Sequence, residues 1–185
     1  MKSILVSLLL LAGTMIAACA PGTDTQSDEV GQLRHAIEAL GPQVDPEEAA
    51  RAALIAYRHA TALAQEYQVT TSPILHNTLV NTGVKQRGLC YHYAEDMQAR
   101  LQSEGFQSLT VLRAIAEPRN SFRIEHSSAV IAPKGADIYG GIVLDPWRYG
   151  GRLYWSATAK DPRYDWEPRL TVLRRRGATA GMARN

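Results

Sequence analysis

A chain of 185 residues that is 45% hydrophobic and 21% charged has enough apolar sequence for one domain with a modest core, and too little length for a second. Its net charge is +2 and its arginines are scattered except for "RRR" at Arg174–Arg176, which excludes the basic stripe that grips nucleic acid. There is no internal repeat, no glycine-rich phosphate loop and no closely spaced Cys/His pair for zinc, so neither a metal nor a cofactor is expected.

The N-terminus "MKSILVSLLLLAGTMIAACAPG" joins a basic Lys2 to an apolar run from Ile4 to Leu11 and to small residues, Ala17 and Ala18, before Cys19. This is the pattern of a secretory signal over residues 1–18. The run is shorter than the roughly 20 apolar residues of a membrane span. The segment "IAAC", Ile16–Cys19, resembles the lipobox of bacterial lipoproteins. The resemblance implies that Cys19 is the acylated first residue of the mature protein, held to a membrane by its lipid without a spanning helix. Ala20 rather than Asp at the next position implies the periplasmic face of the outer membrane.

Residues 19–31, including "APGTDTQSDEVG", are polar and turn-rich and read as a flexible tether; the domain is expected over 32–170. "VDPEEAARAALIAYRHATALAQEYQV" carries Asp45 as N-cap, Pro46 at the first helical position and Glu47 and Glu48 in the first turn, which predicts a helix to about Tyr67. A short helix is expected over "SPILHNTLVNTG". A third runs from about Leu89 to Glu104, with Tyr93, Met97 and Leu101 at four-residue spacing and Gly105 at its end.

Beyond Gly105 the period changes. "SLTVLRAIAE", "FRIEHSSAVIAP" and "GGIVLDPW" are separated by turn signals such as "PRN" and "PKGAD" and read as neighbouring antiparallel strands, with "GRLYWSAT" a possible fourth. Helices first and a β-meander second predict an α+β fold, with the helices on one side of the sheet. The basic stretch 171–185 reads as a disordered, solvated tail, with contact to acidic lipid head groups as a second option.

With Cys19 lipidated, Cys90 has no partner. It is then either an inert, buried cysteine or a reactive one. A thiol at a helix N-terminus is favoured as a nucleophile, but it needs a base and a group that orients the base. His126, within a predicted strand, and Asp145, just before Pro146 at the end of the next, are placed by strand adjacency to complete a Cys-His-Asp triad.

"RGLCYHYAEDMQARL", "EHSSAVI" and "GIVLDPWR" together resemble the transglutaminase-like superfamily of papain-like fold, which includes bacterial periplasmic cysteine proteinases that clip adhesins. The resemblance covers about Ile74 to Tyr154. It implies Cys90 as nucleophile, His126 as base and Asp145 as orienter. Two features depart from the pattern. Ser127 stands where members often carry an aromatic residue, and Tyr91 and His92 follow Cys90 in place of an acidic pair, so neither calcium dependence nor an adhesin substrate is implied.

An oxyanion hole would combine the Cys90 backbone N–H with one side-chain donor, Gln86 first and Asn81 second. Trp147 and His76 are candidates to line a substrate groove, with Trp147 read first as core or groove wall and His76 first as a surface or half-buried histidine. His92 lies off the thiol's face of the helix, and His35 and His59 read as structural. Trp155, Trp166, Tyr154 and Tyr164 are expected to cover a sheet edge.

The function expected is a membrane-anchored cysteine hydrolase, a peptidase or amidase, that passes through a thioester and acts on a protein or peptide substrate of the cell envelope. A protein-crosslinking transglutaminase would use the same acyl-enzyme. The alternatives are a non-enzymatic envelope lipoprotein that keeps the fold as a binding module, for which Cys90 would be buried or His126 turned away, and a peptidoglycan amidase or endopeptidase.

Overall fold

The computed structural model describes residues 22–117 and 124–182. The leader, Cys19 and the "PRN" turn lie outside the described residues. Among those described, the fold is α+β, with five helices and a five-stranded antiparallel sheet.

Helix α1 (Gly22–Glu38) packs along α2 (Pro46–Glu66). Asp45 caps α2 through Oδ1, which accepts from the N–H groups of Glu47 and Glu48, each at 2.9 Å. Ala49, Ala52, Ala53, Ala56 and Ala60 make its inner face, and such small side chains let neighbouring elements approach closely. Glu48 is more than a dipole partner. Its buried carboxylate accepts from Gln107 N at 2.7 Å, Ser108 N at 2.8 Å and Ser108 Oγ at 2.6 Å, which pins the start of α2 to the chain entering β1.

Helices α3 (Pro73–Asn81) and α4 (Cys90–Gln102) precede the strands β1 (Leu109–Ala116), β2 (His126–Pro133), β3 (Ile142–Tyr149), β4 (Arg152–Ala157) and β5 (Trp166–Pro168). The spatial order is β4-β3-β2-β1-β5. Four strands form the expected meander, while β5 returns across it to pair with Ala114–Ala116 of β1. One sheet face, with Val111, Ala129, Ile131 and Leu144, packs under α1, α2 and α4. The other, with Ala114, Ala116, Val130 and Val143, is closed by Ile138, Tyr164 and Trp166.

Four expectations are corrected. The segment read as a tether belongs largely to α1, because Leu33 and Ile37 are fully buried against α2 and Glu29 pairs with Arg152 at 2.7 Å; docking of an apolar stripe stabilises a helix of modest propensity. As far as Met182, the stretch read as a disordered tail is part of α5 (Arg169–Met182), anchored by buried Val172 and by ion pairs from Arg175 to Glu167 and from Arg176 to Glu125; the last three residues lie outside the described ones. His126 opens β2 rather than lying within it. Strand β3 continues past Asp145 to Tyr149, with its pairing to β4 shifted between those two residues, since Pro146 has no N–H to give the ladder. No described helix is long and apolar enough to cross a membrane.

Candidate active site

The loop before α4 places its first residue. Gly88 has φ +121°, and a Cβ there would fall 2.2 Å from His76 Nε2. His76 is fully buried, not in a groove, and its Nε2 donates to the Arg87 carbonyl at 3.0 Å. It braces the turn from beneath. Arg87 is held from the other side by Asp96 at 2.7 Å, whose carboxylate also accepts from the Tyr67 hydroxyl. A Gly88→Ala variant is expected to lose roughly 2–4 kcal/mol from combined backbone strain and overpacking, checked by urea unfolding.

His92 is the next surprise. It lies on the first turn of α4, and its Nδ1 accepts from Gly88 N at 3.1 Å and Leu89 N at 3.2 Å, so it serves as a reverse cap. An acceptor nitrogen must be bare. Burial and the nearby Arg87 charge hold the ring below its ordinary pKa, which keeps that acceptor in place. Cys90 is then the first residue inside α4, with Leu89 as N-cap, where the helix leaves its N–H groups unpaired.

The strands supply the rest. His126 Nε2 and Asp145 Oδ2 are 2.6 Å apart, and each side chain is 1% exposed. With Nε2 so engaged, Nδ1 is the ring nitrogen left to meet the thiol; it is buried without a hydrogen-bond partner among the described residues. Cys90 nonetheless acts electrostatically on the imidazole, and its Sγ lies 3.7 Å from the Glu125 carbonyl, one residue before His126. Burial disfavours the imidazolium, but the Asp145 charge and hydrogen bond, with a contribution from Cys90, outweigh it and raise His126 to about 9. Asp145, although fully buried, is held below its ordinary pKa by His126 and Arg148.

Three aromatic rings close around the imidazole: Trp147 at 4.8 Å, Tyr164 at 4.6 Å and Trp166 at 5.4 Å between centroids. Ring faces favour a cation, so this shell suits a protonated histidine. Trp147 is 5% exposed, packs with Cys90, Tyr93, Leu63 and Tyr67, and donates from Nε1 to Asn77 Oδ1 at 3.0 Å. It walls the Cys-His pair instead of an open groove. Tyr164 and Trp166, expected only to cover a sheet edge, touch the candidate base.

Arg148 extends the chain of charges. Its Nε donates to Asp145 Oδ2 at 2.9 Å, and its Nη1 and Nη2 fork onto Asp161 at 3.1 and 2.6 Å. Its guanidinium lies 3.8 Å over Tyr154 and 4.8 Å over Tyr164. Asp161 also accepts from Trp166 Nε1 at 3.0 Å, tying the aromatic shell to the same network. Sequence reading missed Asp161 entirely. The only local hint was an arginine three residues after Asp145.

Other candidates fall elsewhere. Gln86 is exposed and lines a cleft with Glu66, Tyr67, Gln68 and Lys85 that does not include Cys90, and Asn81 is the exposed last residue of α3. His35 faces Glu38 at 3.2 Å, and His59 meets the Asp96 carbonyl at 3.2 Å. Among the described residues, no group of three or more His, Cys, Asp or Glu side chains is placed to hold a metal. No protein-family model, curated protein or solved structure matches the chain.

Proposed function

We propose that the protein is a cysteine hydrolase of papain-like, transglutaminase-like architecture that cleaves amide bonds in peptides or isopeptides. The observation that carries this reading is the 2.6 Å contact between His126 and Asp145 beside a cysteine at a helix start. Cys90 Sγ attacks the carbonyl carbon while its proton passes to His126 Nδ1. Asp145, held by Arg148, keeps the Nε2–H in place and balances the imidazolium. The Cys90 backbone N–H faces the developing oxyanion. Collapse expels the amine, protonated by His126, and leaves a thioester. His126 then deprotonates the water that releases the acid; an amine in its place gives crosslinking by the same steps. The lipobox-like "IAAC" supports attachment through acylated Cys19 at the periplasmic face of the outer membrane, with a cell-envelope protein or peptide as substrate.

One observation favours a second reading. Cys90 is 8% exposed, as a binding module with an inert cysteine would have it. Alkylation separates the two. In a Cys19→Ser variant, where Cys90 is the sole thiol, iodoacetamide should react rapidly at neutral pH and roughly 10²-fold more slowly after His126→Ala, the scale of one acid–base partner. The slow rate of an ordinary buried thiol, indifferent to His126, would sink the enzyme and leave the module.

A further inference from the structure

Among the described residues, half-buried Arg113 stands outside the charge network around His126. Arg113, on β1, donates from Nη2 to Ser127 Oγ at 3.1 Å, and its Nε is buried without a hydrogen-bond partner among the described residues. Ser127 follows His126, while the Cys90 sulfur meets the carbonyl of the residue before it. Arg113 is therefore joined to the triad's own strand. Strand β5 pairs only with Ala114–Ala116, so β1 has an open edge below it. There a cavity of about 380 Å³ is lined by residues including Gln98, Arg113, Asp137, Ile138, Arg169 and Leu170.

Two arginines thus share one cavity, and among the described residues neither forms an ion pair with a carboxylate. Burial and the charge of Arg169 hold the Arg113 guanidinium below its ordinary value, while Cys90, Glu95 and Asp96 act in the opposite sense. Half-buried Arg113 and exposed Arg169 repel each other across this cavity, which favours an anion between them. Arg113 reaches the cavity wall as a planar cation with N–H groups beyond the one given to Ser127, a donor set that suits a carboxylate. Asp137 is occupied in accepting from Tyr139 N at 2.9 Å and Gly140 N at 3.3 Å. Its negative charge in the wall leaves one net positive charge from the three groups, matched to a monoanion better than to a phosphate dianion.

We propose that Arg113 and Arg169 form a carboxylate subsite in this cavity, tied through Ser127 to the strand that carries His126, so that the substrate is a peptide bearing an acidic group on that side of the amide under attack. The substrate role rests on reading Cys90 as the nucleophile; the binding itself does not. The carboxylate is either an acidic side chain or a chain terminus.

The test is calorimetric titration of the full chain carrying Cys19→Ser with three probes: N-acetylglutamate α-amide, with a side-chain carboxylate; N-acetylglutamine, with a terminal one; and the neutral N-acetylglutamine amide. At least one acid should bind tenfold or more tightly than the neutral probe, and the tighter acid identifies the source of the carboxylate. Arg113→Gln should abolish the preference. Arg169→Gln, at an exposed position, should weaken it several-fold and keeps the test readable if Arg113→Gln does not fold. Equal binding of all three probes, or a preference that survives both changes, overturns the subsite. The bound acid should also slow iodoacetamide alkylation of Cys90 in the parent; binding without protection overturns the substrate assignment. If alkylation is indifferent to His126→Ala, the hydrolase fails while the titration still decides the subsite.

Discussion

Asp145→Asn is expected to lower turnover by about 10³- to 10⁴-fold, the scale seen when the orienting carboxylate of a triad is lost, and to move the alkaline limit of activity down from near pH 9. The sign follows from the two protonation states of His126. In the fold its pKa is raised to about 9, against an ordinary 6.5, so the stabilisation it contributes is fully present below about pH 6.5 and is lost as pH rises through about 9. Asp145 is lowered, so its contribution is present above its ordinary value of 3.8 and lost as pH falls. Between those limits both charges support the fold and the site. Without the carboxylate, burial of His126 is unopposed and favours the neutral ring. Thermal unfolding of the Cys19→Ser parent should therefore fall between pH 6 and 9 more steeply than that of Asp145→Asn. An alkaline limb that stays at the parent position in the variant would show that Asp145 does not set the charge of His126.

Arg148→Met is expected to be the more damaging change to stability. The guanidinium is the shared partner of two buried carboxylates, Asp145 and Asp161, with contacts from 2.6 to 3.1 Å. Removing one member of a buried ion network costs about 3–5 kcal/mol, because the charges left behind remain desolvated. For a domain of this size that corresponds to a melting temperature lower by roughly 6–20 °C. Lysine should not rescue it, since a single ammonium cannot hold Nε on one carboxylate and a two-pronged fork on the other. A double-mutant cycle with Asp161→Asn should show coupling well above the scatter of independent sites. If Arg148→Lys restores both stability and activity, the fork geometry has no role and the arginine is a point charge only.

The parts of this molecule that were legible in sequence are those decided within a few residues. Asp45 and Pro46 start α2 because a carboxylate two and three residues ahead of unpaired N–H groups satisfies them wherever the chain goes. The change from helical spacing to β-branched runs after Gly105 marks the turn to the sheet, and the meander follows from short connections. The positions of Cys90, His126 and Asp145 in chain order were likewise visible. His76 and His92 were not readable as braces of the Gly88 turn, since nothing local says that one ring packs under Gly88 and another reaches back to its N–H.

What tertiary structure alone decided is where long-range partners fall. Segment 22–31 is helical because Leu33 and Ile37, further along α1, dock on α2, an apolar contact that a polar, turn-rich composition conceals. Strand β5 crosses back over the meander to β1 and brings Tyr164 and Trp166 onto His126, although their sequence distance from it carries no such instruction. Asp161 meets Arg148, and Arg113 meets Ser127, through sheet geometry. The sequence by itself determined α2, α3, α4 and the meander, the candidate nucleophile, base and orienter, and the order in which they occur. The tertiary structure decided how they are charged, shielded and held, because ion pairing and desolvation depend on distances that only the packed chain sets.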